Sequence, residues 1–146
     1  MLLIPAPSIP GVLRECGQKG GKAALIESSG FAEAGPNGQR LNGEALAIAA
    51  QHGMRIWGPN CTGLVDASSG VVTPFGYVEA IERGGVSFVA QSGMLSGVLT
   101  SYIVTTNMFG VCKCCAIGNK GDLNEVVFPA GQGAKAADAL LMLDQR

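Results

Sequence analysis

The feature that most constrains this chain is a recurring unit: a short, largely apolar run ends in a glycine-rich polar loop, and a helical pattern follows. The run Ala23-Ala24-Leu25-Ile26 enters a polar loop over 27–38. A helix is expected over 41–51, with Leu41, Ala45, Leu46, Ile48 and Ala49 on its inner side. The run Met54-Arg55-Ile56-Trp57 enters Gly58-Pro59-Asn60-Cys61-Thr62-Gly63. The run Val86-Ser87-Phe88-Val89-Ala90 enters Gln91-Ser92-Gly93 and a helix over 94–106, whose stripes are Met94/Val98/Tyr102 and Leu95/Leu99/Ile103. A further run over 111–117 stops at Gly118-Asn119. Short continuous apolar runs suit strands covered on both faces of a parallel sheet. Strands alternating with helices predict an α/β fold with right-handed crossovers. Such sheets bind ligands at the loops after the carboxyl ends of their strands.

The remaining segments extend this pattern. Residues 1–4 read as the end of a strand, stopped by Pro5 and Pro7. Ser8 is placed to cap a helix carrying Ile9, Val12, Leu13 and Cys16, ended by Gly17, Gly20 and Gly21. The stretch 65–83, with Gly70, Pro74 and Gly76, reads as irregular strands or a connection, and a second unit begins near Gly84-Gly85. A last helix is expected over 134–143.

Composition removes several function classes. Hydrophobic residues are 47% and charged residues 14%, which excludes wholesale disorder. The net charge is −1 and there is no basic run, so no dedicated nucleic-acid surface is expected. No apolar run approaches the roughly 18 residues that span a bilayer; the nearest, 97–111, is broken by Thr100, Ser101, Thr105, Thr106 and Asn107. The five cysteines form no secreted framework and no signal peptide leads the chain, so reduced thiols and a cytoplasmic location are expected. The 22 glycines mark sharp turns or close approaches of backbone to a ligand.

Four motifs carry chemistry. In Gln91-Ser92-Gly93-Met94 a strand passes directly into a helix, whose free N–H groups and positive dipole end suit phosphate or carboxylate. The same residues also fit an ordinary turn with Ser92 as N-cap. This is neither a Walker loop, lacking Gly-Lys-Ser/Thr, nor a G-x-S-x-G elbow, since Ala90 replaces the first glycine. In the Gly-Pro-Asn loop, the Asn60 amide, Cys61 thiol and Thr62 hydroxyl suit the lining of a site; a tight turn around a buried cysteine fits equally. Cys112-Lys113-Cys114-Cys115 alternates faces along a strand and lacks a second zinc pair, so no metal is expected. The loop from Gly118 to Glu125 is either a surface turn or a third loop on the same sheet edge. His52, the only histidine, reads as a helix C-terminal residue rather than a base.

Taken in order, Ser28-Ser29-Gly30-Phe31-Ala32-Glu33-Ala34-Gly35, the Gly-Pro-Asn loop, Gln91-Ser92-Gly93 and Gly118-Asn119-Lys120 resemble the NDP-forming acyl-CoA synthetases. That family includes the ADP-forming acetyl-CoA synthetases and is related to the succinyl-CoA synthetase α subunit. The resemblance runs to about Glu125. It implies a Rossmann-like parallel sheet segment followed by the start of a flavodoxin-like α/β domain: residues 1–78 as the C-terminal part of a CoA-binding domain and 79–146 as the beginning of the second. It implies that Ser29, Gly30, Phe31, Glu33, Asn60 and Cys61 line the CoA and acyl site, and that Gln91, Ser92, Gly93 and Met94 hold phosphate. The family's first Gly-rich βα turn would precede Met1, and no histidine follows His52 to act as its phosphohistidine. The expectation is therefore an internal fragment of an acid–thiol ligase, inactive alone, with no catalytic residue of its own. The alternative is a non-catalytic CoA- or acyl-CoA-binding regulatory module. Coenzyme A, at a weak or incomplete site, and a small carboxylic acid or acyl-CoA are the implied ligands. ADP or ATP with Mg is implied only for a complete enzyme. A β subunit or ATP-grasp domain is the implied partner, and a homo-oligomer is compatible; no nucleic acid or membrane is implied.

Overall fold

A computed structural model describes residues 1–73, 81–123 and 139–143. The chain forms two compact units, Met1–Cys61 with Asn119–Leu123, and Thr62–Gly118 with Asn124–Arg146.

In the first unit, α1 (Ile9–Gln18) and α2 (Pro36–Gln51) pack together beside the parallel pair β1 (Ala23–Leu25) and β2 (Arg55–Trp57). Ala24 sits opposite Ile56. The expected strand at the start of the chain is a single parallel bridge from Leu2 to Ile26, in which the Leu2 amide donates to Leu25 O at 2.8 Å. The core joins Ile9 and Leu13 of α1, Ala45, Ile48 and Ala49 of α2, Ile26 and Ile56 of the strands, and Phe31. Burial of these side chains, each contributing roughly 1.5–3 kcal/mol if large and aliphatic, is the main force holding the unit.

Two expectations about helix starts are corrected. Ser8 makes no side-chain cap, because it already lies in a helical conformation at the end of a 3-10 turn over Ala6–Ser8. Helix α2 begins at Pro36 rather than at 41. The Gly35-Pro36-Asn37-Gly38 sequence looks like a loop, yet proline suits the first helical turn, where its missing N–H has no intrahelical partner to lose. Gly38 is buried there because the turn lies directly on the backbone of Phe31: a Cβ at Gly38 would stand 1.8 Å from Phe31 O.

The second unit is a five-stranded sheet in the order β4-β3-β6-β5-β7, with β3 (Leu64–Asp66), β4 (Val71–Val72), β5 (Arg83–Ala90), β6 (Val111–Ala116) and β7 (Ala139–Leu143). Strands β6, β5 and β7 run parallel; β3 and β4 are antiparallel additions. Asp66 ends β3, and its carboxylate takes the Ser68 amide at 3.0 Å to turn the chain toward β4. Strand β3 pairs with β6, and the first unit passes to the second at Cys61/Thr62. The helix expected over 134–143 is corrected for its described part: Ala139–Leu143 is a strand in register with Val86–Ala90. Residues 134–138 lie outside the described residues.

Helix α3 (Gly93–Thr106) seats on the sheet through Ser96, Thr100 and Ile103, with the partly buried Leu99 of the second stripe beside them, not through the apolar stripe Met94/Val98/Tyr102, which is 80%, 63% and 51% exposed. The buried hydroxyls are satisfied within the helix: Ser96 Oγ donates to Gly93 O at 3.0 Å and Thr100 Oγ1 to Ser96 O at 2.7 Å. The core beneath consists of Val65, Phe88, Ile103, Val111 and Cys114. Cys112, Cys114 and Cys115 are all buried, and burial pushes the Cys114 thiol up against the opposing hydrogen bonds of Thr100 and Val65. Among the described residues no cluster of side chains is arranged to hold a metal ion, and no helix is long and apolar enough to cross a membrane.

Candidate functional site

The first unit gathers three loops at the carboxyl ends of β1 and β2. The chain leaves β1 through Ile26, Glu27 and Ser28. Ser28 Oγ donates to Ile4 O at 2.6 Å, and Ser28 O accepts the Asn60 amide at 3.0 Å, which ties this loop to the one after β2. The third loop returns at Asn119, whose amide donates to Pro59 O at 2.9 Å; the Gly121 amide donates to Gly58 O at 3.0 Å. Asn60 and Lys120 both take left-handed backbone conformations, with φ of 56° and 55°. Asparagine tolerates that region better than most residues, because its short polar side chain can bond locally.

Glu33 is the hub. Its Oε1 accepts the Gly30 amide at 2.5 Å and the Phe31 amide at 3.1 Å. Its Oε2 accepts the side-chain amide of Asn119, and Asn119 Oδ1 accepts Asn60 Nδ2 at 3.2 Å. Partial burial would raise the Glu33 pKa, but the hydrogen bonds from Asn119, Gly30 and Phe31 outweigh it and hold the carboxyl below its ordinary value. The sequence-predicted residues divide by what their atoms do. Gly30 and Phe31 contribute backbone amides; the Phe31 ring is fully buried in the core. Ser29 is exposed. Cys61 is 4% exposed, and its thiol donates to Ile26 O at 3.3 Å. The thiol therefore packs the turn.

Two features of this site escape the sequence. The Glu33–Asn119 link spans 86 positions, and no spacing rule signals it. Glu27 looks like one more loop carboxylate, yet its Oε1 is buried without a hydrogen bond, and burial pushes its pKa up.

In the second unit, Ser92 is the N-cap of α3, accepting the Leu95 amide at 3.3 Å. With that amide taken, the first-turn amides of Gly93 and Met94 remain for another acceptor. Gln91 O accepts the Gly118 amide at 3.1 Å. Gly93 is needed for close approach: a Cβ would stand 2.3 Å from Thr62 Cγ2, and Thr62 Oγ1 bonds Gly93 O at 3.3 Å and Ser96 Oγ at 3.1 Å. The Met94 side chain points to solvent. Ser92→Ala is expected to cost about 1 kcal/mol through loss of the cap, seen as a lower denaturant midpoint for α3 without loss of the β strands. His52 packs its ring on α1, where a Cβ at Gly17 would lie 2.3 Å from His52 Cγ.

Residues 1–67 match the family model of the CoA binding domain. An ADP-forming acetate–CoA ligase II from Archaeoglobus fulgidus is 39% identical over 127 residues, covering 86% of this chain and 19% of that protein. The α subunit of an ADP-forming acetate–CoA ligase II from Pyrococcus furiosus is 34% identical over 124 residues, covering 85% of this chain and 26% of that subunit. Among solved structures, the apo form of a dinucleotide-forming acetyl-coenzyme A synthetase 1 from Ca. Korarchaeum cryptofilum superposes with a TM-score of 0.90 at 31% identity, covering 99% of this chain and 31% of that one. The chain thus spans between 19% and 31% of these relatives' length. By its sequence and its α/β fold, this chain belongs to the NDP-forming acyl-CoA synthetase family.

Proposed function

We propose that this chain supplies the CoA-contacting loops of an acid–thiol ligase, in which acyl-CoA, ADP and phosphate interconvert with acid, CoA and ATP. The observation that carries the reading is the Glu33–Asn119–Asn60 cluster at the strand ends, of which Glu33 and Asn60 lie within the residues that match a CoA binding domain. The first unit acts as the CoA-binding Rossmann-like part, and the second as the start of a flavodoxin-like part. Coenzyme A supplies the thiol that accepts the acyl group. Ser29 and Gly30 lie along the ligand, Glu33 holds their loop, and Asn60 faces the thiol end, with Cys61 packing beneath. Gln91, Ser92, Gly93 and Met94 form the amino end of α3 that receives phosphate. ADP or ATP with Mg, and the part of the enzyme that binds them, complete the reaction.

Calorimetry of the 146-residue chain tests the reading. CoA and acetyl-CoA are expected to bind weakly, with measurable heat at millimolar ligand; no heat at that concentration would sink it. The same chain, assayed with acetate, CoA and ATP, is expected to make no acyl-CoA, and detectable synthesis would overturn the assignment of the nucleotide chemistry to another part of the enzyme.

A further inference from the structure

The side-chain bonds of the first unit form a chain with a fixed direction. An ionised carboxylate accepts hydrogen bonds and cannot donate them. Glu33 spends Oε1 on the Gly30 and Phe31 amides, and Oε2 faces Asn119. Asn119 must therefore turn its NH2 toward Glu33, which leaves its carbonyl oxygen toward Asn60. Asn60 must in turn donate through Nδ2 to Asn119 Oδ1, at 3.2 Å. An asparagine amide normally has two nearly equivalent orientations, and its neighbours decide between them. Here the decision is made two residues away. The Asn60 backbone is also fixed, by its amide bond to Ser28 O at 3.0 Å, so only the side-chain amide has freedom to lose. Asn60 Oδ1 takes no hydrogen bond among the described residues and is not enclosed.

We infer that Glu33 is a positioning residue: acting through Asn119, it holds the Asn60 amide with its carbonyl oxygen toward the ligand, so that this position receives a hydrogen-bond donor rather than an acceptor. The inference rests on the CoA reading for the identity of the ligand. A neutral donor is available on CoA from its thiol S–H or from a pantetheine amide N–H. An acyl carbonyl, a carboxylate or a phosphate oxygen presents only acceptors and is disfavoured at Asn60.

Glu33→Gln reverses the chain without removing an atom from its path. The glutamine carbonyl can keep the Gly30 and Phe31 amides, while its NH2 now faces Asn119. Asn119 then flips, donates to Asn60 Oδ1, and leaves Asn60 presenting NH2 to the ligand. Long-range NMR correlation across the hydrogen bond reads this directly. The wild-type chain should show coupling from Asn60 Nδ2 to Asn119 Cγ, and Glu33→Gln should show it from Asn119 Nδ2 to Asn60 Cγ. The same direction in both proteins would overturn the inference. In calorimetry, Glu33→Gln should weaken CoA roughly tenfold, the scale of a mispaired polar contact. Asn119→Ala removes more atoms but only frees the Asn60 amide, so it should weaken CoA less than Glu33→Gln does; the opposite ranking would mean a merely structural role. Desulfo-CoA separates the donors. If it binds more weakly than CoA to wild type and equally to Glu33→Gln, the donor is the thiol; if it matches CoA in both while Glu33→Gln still weakens both, the donor is an amide. Failure of wild type to bind CoA would defeat the CoA reading alone, and the NMR result would then decide the amide chain by itself.

Discussion

Gly38→Ala is expected to destabilise the first unit by about 3 kcal/mol or more, at the upper end of overpacking costs. The new methyl carbon would lie 1.8 Å from Phe31 O and 2.7 Å from Phe31 C. Both are backbone atoms, so no rotamer change relieves the clash. Either the first turn of α2 lifts, or the loop bearing Gly30 and Phe31 shifts. The second route would also pull the fully buried Phe31 ring from the core. Trp57 on β2 is the only tryptophan, so its fluorescence during urea unfolding reports this unit directly. Gly43 on the same helix is the control. A Cβ there meets nothing within 4 Å, so Gly43→Ala should stabilise by roughly 0.5–1 kcal/mol through helix propensity. Opposite signs at two glycines of one helix would establish that the first turn is held by close approach. A Gly38→Ala protein as stable as the wild type would refute that packing. CoA affinity should fall with Gly38→Ala as well, because the Gly30 and Phe31 amides and Glu33 all depend on that loop.

In the second unit the largest single loss is expected from Phe88→Ala, about 3–5 kcal/mol. Phe88 lies on β5, 1% exposed, with Cys114 beside it on β6. The reason for its weight is the helix above. Ser96 and Thr100 bring little apolar surface to the seat of α3; Ile103, with the partly buried Leu99, supplies the helix's apolar contact. The aromatic ring beneath therefore supplies much of the area that keeps the helix down. Amide hydrogen exchange along α3 should accelerate in the variant well beyond exchange in α2. Equal protection of α3 in both proteins would show that the helix is anchored elsewhere.

How much of this was legible depended on the reach of the interaction. The strands at Ala23, Arg55, Val86 and Val111 follow from local runs and from the loops that end them. The first turn of α2 did not, because a Gly-Pro-Asn-Gly sequence is ambiguous until one knows that Phe31 lies against it. The segment Ala139–Leu143 has strong helix formers and no period that separates helix from buried strand; the pairing partner, Val86–Ala90, decides it. Of the two apolar stripes of α3, Leu95/Leu99/Ile103 brings Leu99 and Ile103 to the core, while Met94/Val98/Tyr102 was misleading for a related reason. Hydroxyls can face inward where they bond the preceding turn, as Ser96 and Thr100 do. At the site, Glu33 and Asn60 were recognisable by motif, but their connection runs through Asn119, brought back from far along the chain.

That return has a consequence for anyone who would divide the gene. The segment Asn119–Leu123 belongs to the first unit although most of the second unit is encoded before it. Asp122 takes the Ile56 amide at 2.8 Å and pairs with Arg55 at 2.7 Å, so it seals the outer edge of β2. A reading frame stopped after Cys61 would therefore encode β2 with a bare edge, the kind of surface that recruits neighbouring chains into aggregates. It would also lack the asparagine that orients Asn60. The smallest heritable piece able to preserve the Glu33–Asn119–Asn60 chain is not the contiguous stretch that resembles a CoA-binding domain, but one that continues through Leu123.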